Sequence, residues 1–330
     1  MPGALGGGTM PTELVLLGTA GAPMPVADRG GICSAVVVDD RIYLIDCGRG
    51  SPSAFVNAGL DFTRLTAIFL THLHADHCGD LPGMILYPWG VRGGRNGPLD
   101  PVQVIGPSRP EALPAGDPQF RRISIIHPDR PAPGTADLVD CILAGYAYHL
   151  NVMPLDARMP DPAALVRGND VRIGTEPVDV WSDDAVRVSA VRVTHGHAEP
   201  ALAYRFDTAD GSLVFSGDTT VNDDLIALAR GADILVHQVA DLDYLRRSGL
   251  GEADLGHLAG LHTDVTEVGG VAERAGAGEL ILTHYLPADP AAMSAAEWSR
   301  RAGQGFRGRT TAGYDGLRAT LPRSPAARTG

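Results

Sequence analysis

The chain has 330 residues, 44% of them apolar, with 27 basic and 39 acidic side chains and a formal charge of −12. The apolar share can bury a sizeable core and excludes wholesale disorder, and no apolar run of about 18 residues marks a membrane-spanning helix. All the basic residues are arginine, which excludes lysine Schiff-base chemistry, and the acidity argues against nucleic acid as a partner, since broad binding to it needs a basic footprint.

Residues 1–11 have neither a basic cluster nor an apolar run, so they read as a flexible leader rather than a secretory signal. Short β-rich apolar runs follow at 12–19, 32–38 and 41–46, broken by Gly, Pro and Asp. Residues 66–71 read as a buried strand running into a histidine-rich loop, with a short helix from about Asp80 and another strand at 102–106. The stretch 107–180 is rich in Pro, Asp and Arg. One helix-like segment near 135–147 interrupts it, and it reads as an insertion over one face. Strands resume at 185–194, 201–207 and 212–216. A helix at 221–230, a strand at 233–237, a helix at 264–275 and a strand at 279–283 come next, and 324–330 is an expected disordered tail. Residues 12–323 thus read as one domain, with sheets packed on each other and helices outside. The cysteines Cys33, Cys47, Cys78 and Cys141 form no CxxC pair. Free thiols in a reducing, cytoplasmic setting are the expectation.

Histidines cluster at strand ends. Thr71-His72-Leu73-His74-Ala75-Asp76-His77 places four candidate ligands within six residues of a buried strand. An extended backbone points His72 and His74 to one side, while Asp76 and His77 fall where the chain turns toward a helix and can face a second point. His195 or His197, in Thr194-His195-Gly196-His197, can complete a first site. Asp218, after the strand at 212–216, can bridge two cations, and His284 ends the strand at 279–283. Imidazole and carboxylate donors suit zinc, with manganese or iron also admitted.

These strings resemble the metallo-β-lactamase superfamily, and most closely its ribonuclease Z, arylsulfatase and phosphodiesterase-like branch. Leu44-Ile45-Asp46-Cys47-Gly48, Pro200-Ala201-Leu202-Ala203-Tyr204 and Leu261-His262-Thr263 add to the likeness, which spans roughly residues 12–320. The resemblance implies an α/β fold of four-layer αββα type with an inserted segment. It implies two divalent metal ions, one held by His72, His74 and His195 and the other by Asp76, His77 and His284, with Asp218 bridging. His195 is preferred over His197 because the family's histidine lies five residues before a proline, here Pro200. Asp46 is expected to orient a ligating imidazole. Asp76 and His262 are the expected catalytic residues, Asp76 handling the attacking water and His262 contacting the attacked group or the leaving oxygen.

Two departures stand out. The family's Val-His-Glu reads Val236-His237-Gln238 here, and Arg49 stands where the branch often has an acidic residue. The long basic arm of tRNA-processing members is not found. The expected function is therefore a dinuclear metal-dependent hydrolase in which activated hydroxide cleaves a small anionic ester, a phosphodiester or a sulfate ester. A lactone or carboxylic ester hydrolase is the alternative. tRNA 3′ processing ranks below both because of the charge and the missing arm, as does a non-catalytic binding scaffold. Trp89, Arg92 and Arg95 could border the substrate, and the apolar stretch near 135–150 could serve a homodimer.

Overall fold

Strands that are apolar along their whole length must be covered on both faces, and this chain covers them with a second sheet on one side and helices on the other. The computed structural model describes residues 10–92, 100–113, 124–174 and 176–321. In chain order the first strands are β1 (Glu13–Gly18), β2 (Cys33–Val38), β3 (Arg41–Ile45), β4 (Leu65–Phe69), β5 (Val102–Pro107) and β6 (Val166–Val171). Then come β7 (Val178–Ser182), β8 (Val186–Val193), β9 (Ala201–Thr208), β10 (Ser212–Phe215), β11 (Ile234–Ala240), β12 (Glu279–Leu286), β13 (Arg309–Ala312) and β14 (Arg318–Thr320). One sheet runs β14-β1-β2-β3-β4-β5-β6 and the other β13-β12-β11-β10-β9-β8-β7. Each is antiparallel in one half and parallel in the other, the parallel neighbours being β3 to β6 and β10 to β13.

The alternation along each strand sorts the core into layers. Leu14 and Leu16 of β1 point between the sheets, where Phe69, Tyr204, Phe206 and Phe215 fill the space, and Phe69 meets Phe206 edge-on at 5.1 Å. Val15 and Leu17 point the other way, onto Phe55 and Met84. Those residues belong to α1 (Ser51–Asn57) and α3 (Leu81–Leu86), which flank α2 (Ala75–Cys78) and are followed by α4 (Trp89–Arg92). Leu235, Leu280 and Leu282 of the second sheet likewise pack on Leu225, Val271 and Trp298. The helices there are α7 (Asp223–Leu228), α8 (Leu242–Arg247), α9 (Glu252–Ala259), α10 (Val268–Ala275) and α11 (Ala295–Ala302). This is the four-layer αββα sandwich. No helix among the described residues is long and apolar enough to cross a membrane.

The segment 107–180, expected as an insertion over one face, is built into the sandwich. Besides α5 (Thr135–Gly145) and α6 (Ala147–Asp156) it supplies β6 and β7, one edge strand for each sheet. Both strands, VRGNDV and VDVWS, carry charged residues and alternate exposed positions with buried or half-buried ones, so neither shows an apolar run. The helix expected from about Asp80 is α3, with Asp80 at its N-cap, and a further short helix, α2, begins inside the histidine string at Ala75, so Asp76 and His77 are already helical. The strand expected to end at 283 continues to Leu286, with His284 inside it. Residues 1–9 of the expected leader, Arg95 and the expected tail lie outside the described residues, as does the side chain of Arg92.

Candidate metal-centred active site

The carboxyl ends of the parallel strands in both sheets open onto one rim, where ligands bind in open α/β sheets. β4 delivers His72, His74, Asp76 and His77, and β8 delivers His195. Asp218 follows β10, and His284 lies in β12. Two contacts hold the sheets together beneath this rim: Leu202 N–H donates to Thr71 O at 2.8 Å, and the Tyr204 hydroxyl donates to Leu70 O at 2.8 Å. His284 reaches the rim through a bulge. Opposite β11 the register passes from Gln238↔Thr283 to Val239↔Tyr285, which leaves His284 as the extra residue with φ +47°. Gly21 leaves the necessary room, since a Cβ there would come within 2.7 Å of His284 Nδ1. Gly217 has φ +58°, and a Cβ on it would meet Leu202 O at 2.6 Å, so only glycine fits ahead of Asp218.

The donors form two groups. In the first, His74 Nδ1 lies 3.0 Å from His72 Nε2 and 3.4 Å from His195 Nε2. In the second, His284 Nε2 lies 3.2 Å from His77 Nε2 and 3.4 Å from Asp76 Oδ2. Asp218 Oδ2 stands between them, 3.2 Å from His284 Nε2, 3.4 Å from His77 Nε2 and 3.8 Å from His195 Nε2. His197 is exposed and takes no part in either group.

The tautomers explain why this arrangement suits cations. His195 Nδ1 donates to Leu261 O at 2.9 Å, and His77 Nδ1 donates to Asp46 Oδ2 at 2.8 Å. The Thr71 hydroxyl donates to Asp46 and receives His72 Nδ1 at 3.2 Å. In the neutral rings the Nε2 atoms are then lone pairs, those of His72 and His195 turned to His74 and that of His77 turned to His284 and Asp218. Asp218 Oδ1 and His284 Nδ1 are buried without a hydrogen-bond partner. Bare donors crowded in this way repel unless a positive charge lies among them. Tetrahedral bonds of about 2.0–2.1 Å place donors about 3.3–3.4 Å apart, so these spacings fit a divalent cation in each group.

Electrostatics agree. Burial pushes His72 well below its ordinary pKa and lowers His74 and His195 as well, which favours neutral, ligating imidazoles. Burial opposes ionisation of Asp76, but His284 and His77 outweigh it and bring the carboxyl down to about 2. Burial alone would lower His77, yet Asp218 and Asp46 together raise it, a sign of negative potential around its free nitrogen. Asp46 itself takes an unusual left-handed backbone, φ +61°, and binds Thr71 N–H through Oδ1 at 2.8 Å. Asp46→Asn can no longer set the His77 tautomer. Competition with a chromogenic chelator is expected to show metal affinity lower by about 10–100-fold.

His262 lines the same cleft, of about 320 Å³, with Asp76, His195, Asp218 and His284. Burial lowers its pKa to about 3. Its Nδ1 lies 3.0 Å from Gln238 Oε1, a partner that the sequence analysis did not assign. Thr71 was also missed as the hinge of the Asp46–His72–His77 network, although its place directly before the histidine string is a usable signal. A neighbouring cavity of about 450 Å³ extends from His74 and His195 past His197 and His257. Trp89, named above as a residue that could border the substrate, is a core residue: it is 1% exposed, donates to Pro160 O and stacks edge-on with His149. Cys78 belongs to neither donor group, and burial pushes its thiol up to about 11.

Comparison with known proteins gives a consistent picture. The profile of the metallo-beta-lactamase superfamily matches residues 28–267. A protein named ribonuclease Z from Mycobacterium sp. (strain KMS) is 34% identical over 298 residues, 89% of this chain and 90% of that protein. Among solved structures, human tRNase Z, short form, superposes with a TM-score of 0.61 at 20% identity, covering 94% of this chain and 99% of its own. The metallo-beta-lactamase fold protein YhfI from Bacillus subtilis gives 0.62 at 18% identity, with coverage of 94% and 99%. At those identities the two structures speak for the fold alone.

Proposed function

The chain belongs to the metallo-beta-lactamase superfamily and is a metal-dependent hydrolase, and from that premise we propose that it is a ribonuclease acting on tRNA-like precursors. The observation that carries this reading is the likeness to ribonuclease Z along nearly the whole of both chains. It overturns the expectation of a small anionic ester as substrate, and with it the expectation that nucleic acid is no partner. The physical reason is that a net charge of −12 sums over the entire surface. It does not report the local potential of a cleft, where bound cations would add positive charge.

In this reading His72, His74 and His195 would hold one divalent cation and Asp76, His77 and His284 a second, with Asp218 placed to serve both. The mixed nitrogen and oxygen donor set favours zinc. Such cations, when bound, polarise a phosphoryl oxygen and make water acidic enough to attack at neutral pH. The chain's own residues do the rest. The Asp76 carboxylate, kept ionised, orients the attacking water. Asp46, Thr71 and the Leu261 carbonyl hold the imidazoles in the tautomers that leave their inner nitrogens bare. Leu258 and Leu261 give the cleft an apolar wall against which a base can pack while water is excluded. The four cysteines are all free, which fits a reducing compartment such as the cytoplasm.

The test is cleavage of a precursor tRNA carrying a 3′ trailer by the zinc-loaded protein. A single cut releasing the trailer, abolished by chelation, is the expected result. An uncut precursor, under conditions where bis(p-nitrophenyl) phosphate is hydrolysed, would refute the ribonuclease reading while leaving the hydrolase intact.

A further inference from the structure

A second, mostly apolar pocket of about 270 Å³ adjoins the metal-type donors. His72 and His74 line it together with Leu73, Pro107, Pro133, Leu138 and Pro200. Much of it is built by the segment 107–180: Pro107 ends β5, Pro133 lies two residues before α5, and Leu138 lies on α5. The start of that helix is tied down on both sides. The Thr135 hydroxyl donates to Pro107 O at 3.0 Å, and Ala136 N–H donates to Asp170 Oδ1 of β6 at 2.9 Å. Leu73 and Leu138 pack against the core beneath, and the prolines restrict the backbone of the remaining wall. The pocket is thus shaped before any ligand arrives, which lowers the cost of binding.

Its charge and size select the ligand. Among the described residues no arginine lines the pocket, and Glu199, an exposed carboxylate, does. Arg109 and Arg130, close by in the chain, are both paired with Asp137, at 2.7 and 3.2 Å. A phosphate is therefore disfavoured here and belongs among the cation donors, whereas an uncharged group fits. The volume falls below the range of about 300–1,000 Å³ typical of drug-sized ligands, so it suits one ring system rather than a whole nucleotide. Flat apolar walls take the face of a planar ring, and a single-stranded nucleic acid offers such a ring in each unstacked base. We propose that this pocket receives the base of a nucleotide next to the phosphate that is cut, while the base on the other side of that phosphate packs on Leu258 and Leu261 of the cleft. His74 lines both the cleft and the pocket, so the two base sites meet at the metal-type donors. The substrate is then a single strand whose bases are splayed apart at the cut. The choice of a base as occupant rests on the ribonuclease reading.

The test uses three diesters with the same leaving group: methyl p-nitrophenyl phosphate, which has no base, and the 5′ and 3′ p-nitrophenyl phosphates of thymidine, which carry a base on one side or the other. With zinc-loaded protein, at least one thymidine ester should have a kcat/KM about tenfold or more above that of the methyl ester. Leu138→Trp, which fills the pocket, should lower that ratio by about tenfold. Ala132→Trp, at a loop position lining the same pocket, should lower it as well and serves if the helix variant does not fold. Two results overturn the proposal: no preference for either thymidine ester, or a preference that survives filling. If the methyl ester loses as much as the thymidine esters, the ratio is unchanged and the pocket belongs to the nitrophenyl group instead. The same preparations are tried on precursor tRNA. A base preference that is lost on filling, with the precursor left uncut, keeps the pocket and refutes the ribonuclease reading. A precursor that is cut, with no base preference in the esters, does the reverse.

Discussion

Asp218→Ala lowers kcat/KM by at least about a thousandfold, a loss of about 4 kcal/mol of transition-state stabilisation, and releases bound metal on dialysis. This expected result follows from where the carboxylate stands. One oxygen lies within 3.2–3.8 Å of nitrogens from both donor groups. The other is buried without a protein partner. No other carboxylate among the described residues approaches both groups, because Asp76 falls only within the second. Without Asp218 each group keeps its histidines, but the negative charge that would lie between two dications is gone. Metal analysis alongside the RNA and aryl-ester assays checks the point. A variant that retained two metals per chain and a tenth of the activity would remove Asp218 from the bridging role.

The largest effect on stability is expected far from the cleft, at Asp241. It is fully buried at the end of β11, and its Oδ1 caps α8 by accepting Tyr244 N–H at 2.8 Å. The Arg301 guanidinium of α11 spans both carboxylate oxygens. Nη2 is hydrogen-bonded to Oδ1 at 3.1 Å, and Nη1 lies 2.7 Å from Oδ2. Asp241→Ala would leave that guanidinium without its counter-charge and α8 without its cap. Breaking a buried pair from one side costs about 3–5 kcal/mol, and losing a cap costs about 1 kcal/mol more. Against a typical total of about 5–15 kcal/mol this is a large fraction, and urea denaturation should show the midpoint falling steeply. Asp241→Ala combined with Arg301→Met should recover part of the loss, because no unpaired charge is then left behind. If the double variant is no more stable than the single one, the ion pair is not the cause.

Neither Asp241 nor Arg301 drew attention in the sequence. An aspartate after a strand and an arginine in an amphipathic helix are both commonplace, and their meeting spans 60 residues. The histidines were different. His72, His74, Asp76 and His77 fall within six residues, so local backbone geometry alone brings them near one another. His195, Asp218 and His284 could be singled out because each follows or ends an apolar run. Strand ends in an open sheet are where distant segments converge.

What the amino-acid sequence determined by itself was whatever depends on short-range periodicity: apolar strands covered on both faces, helices between them, and seven metal-type donors at one sheet rim. Tertiary structure decided the rest. It made β6 and β7 the sheet edges, where polar strands gain from pairing on one side what they lack in apolar burial. It placed the bulge at His284 and the glycine, Gly21, that clears space for it, because only the packed neighbour shows what a Cβ would strike. It decided the tautomers of His77, His195 and His262, because a ring's tautomer is set by the group facing its other nitrogen. Those groups, Asp46, the Leu261 carbonyl and Gln238, lie 24 to 66 residues away along the chain and are brought into contact only by folding.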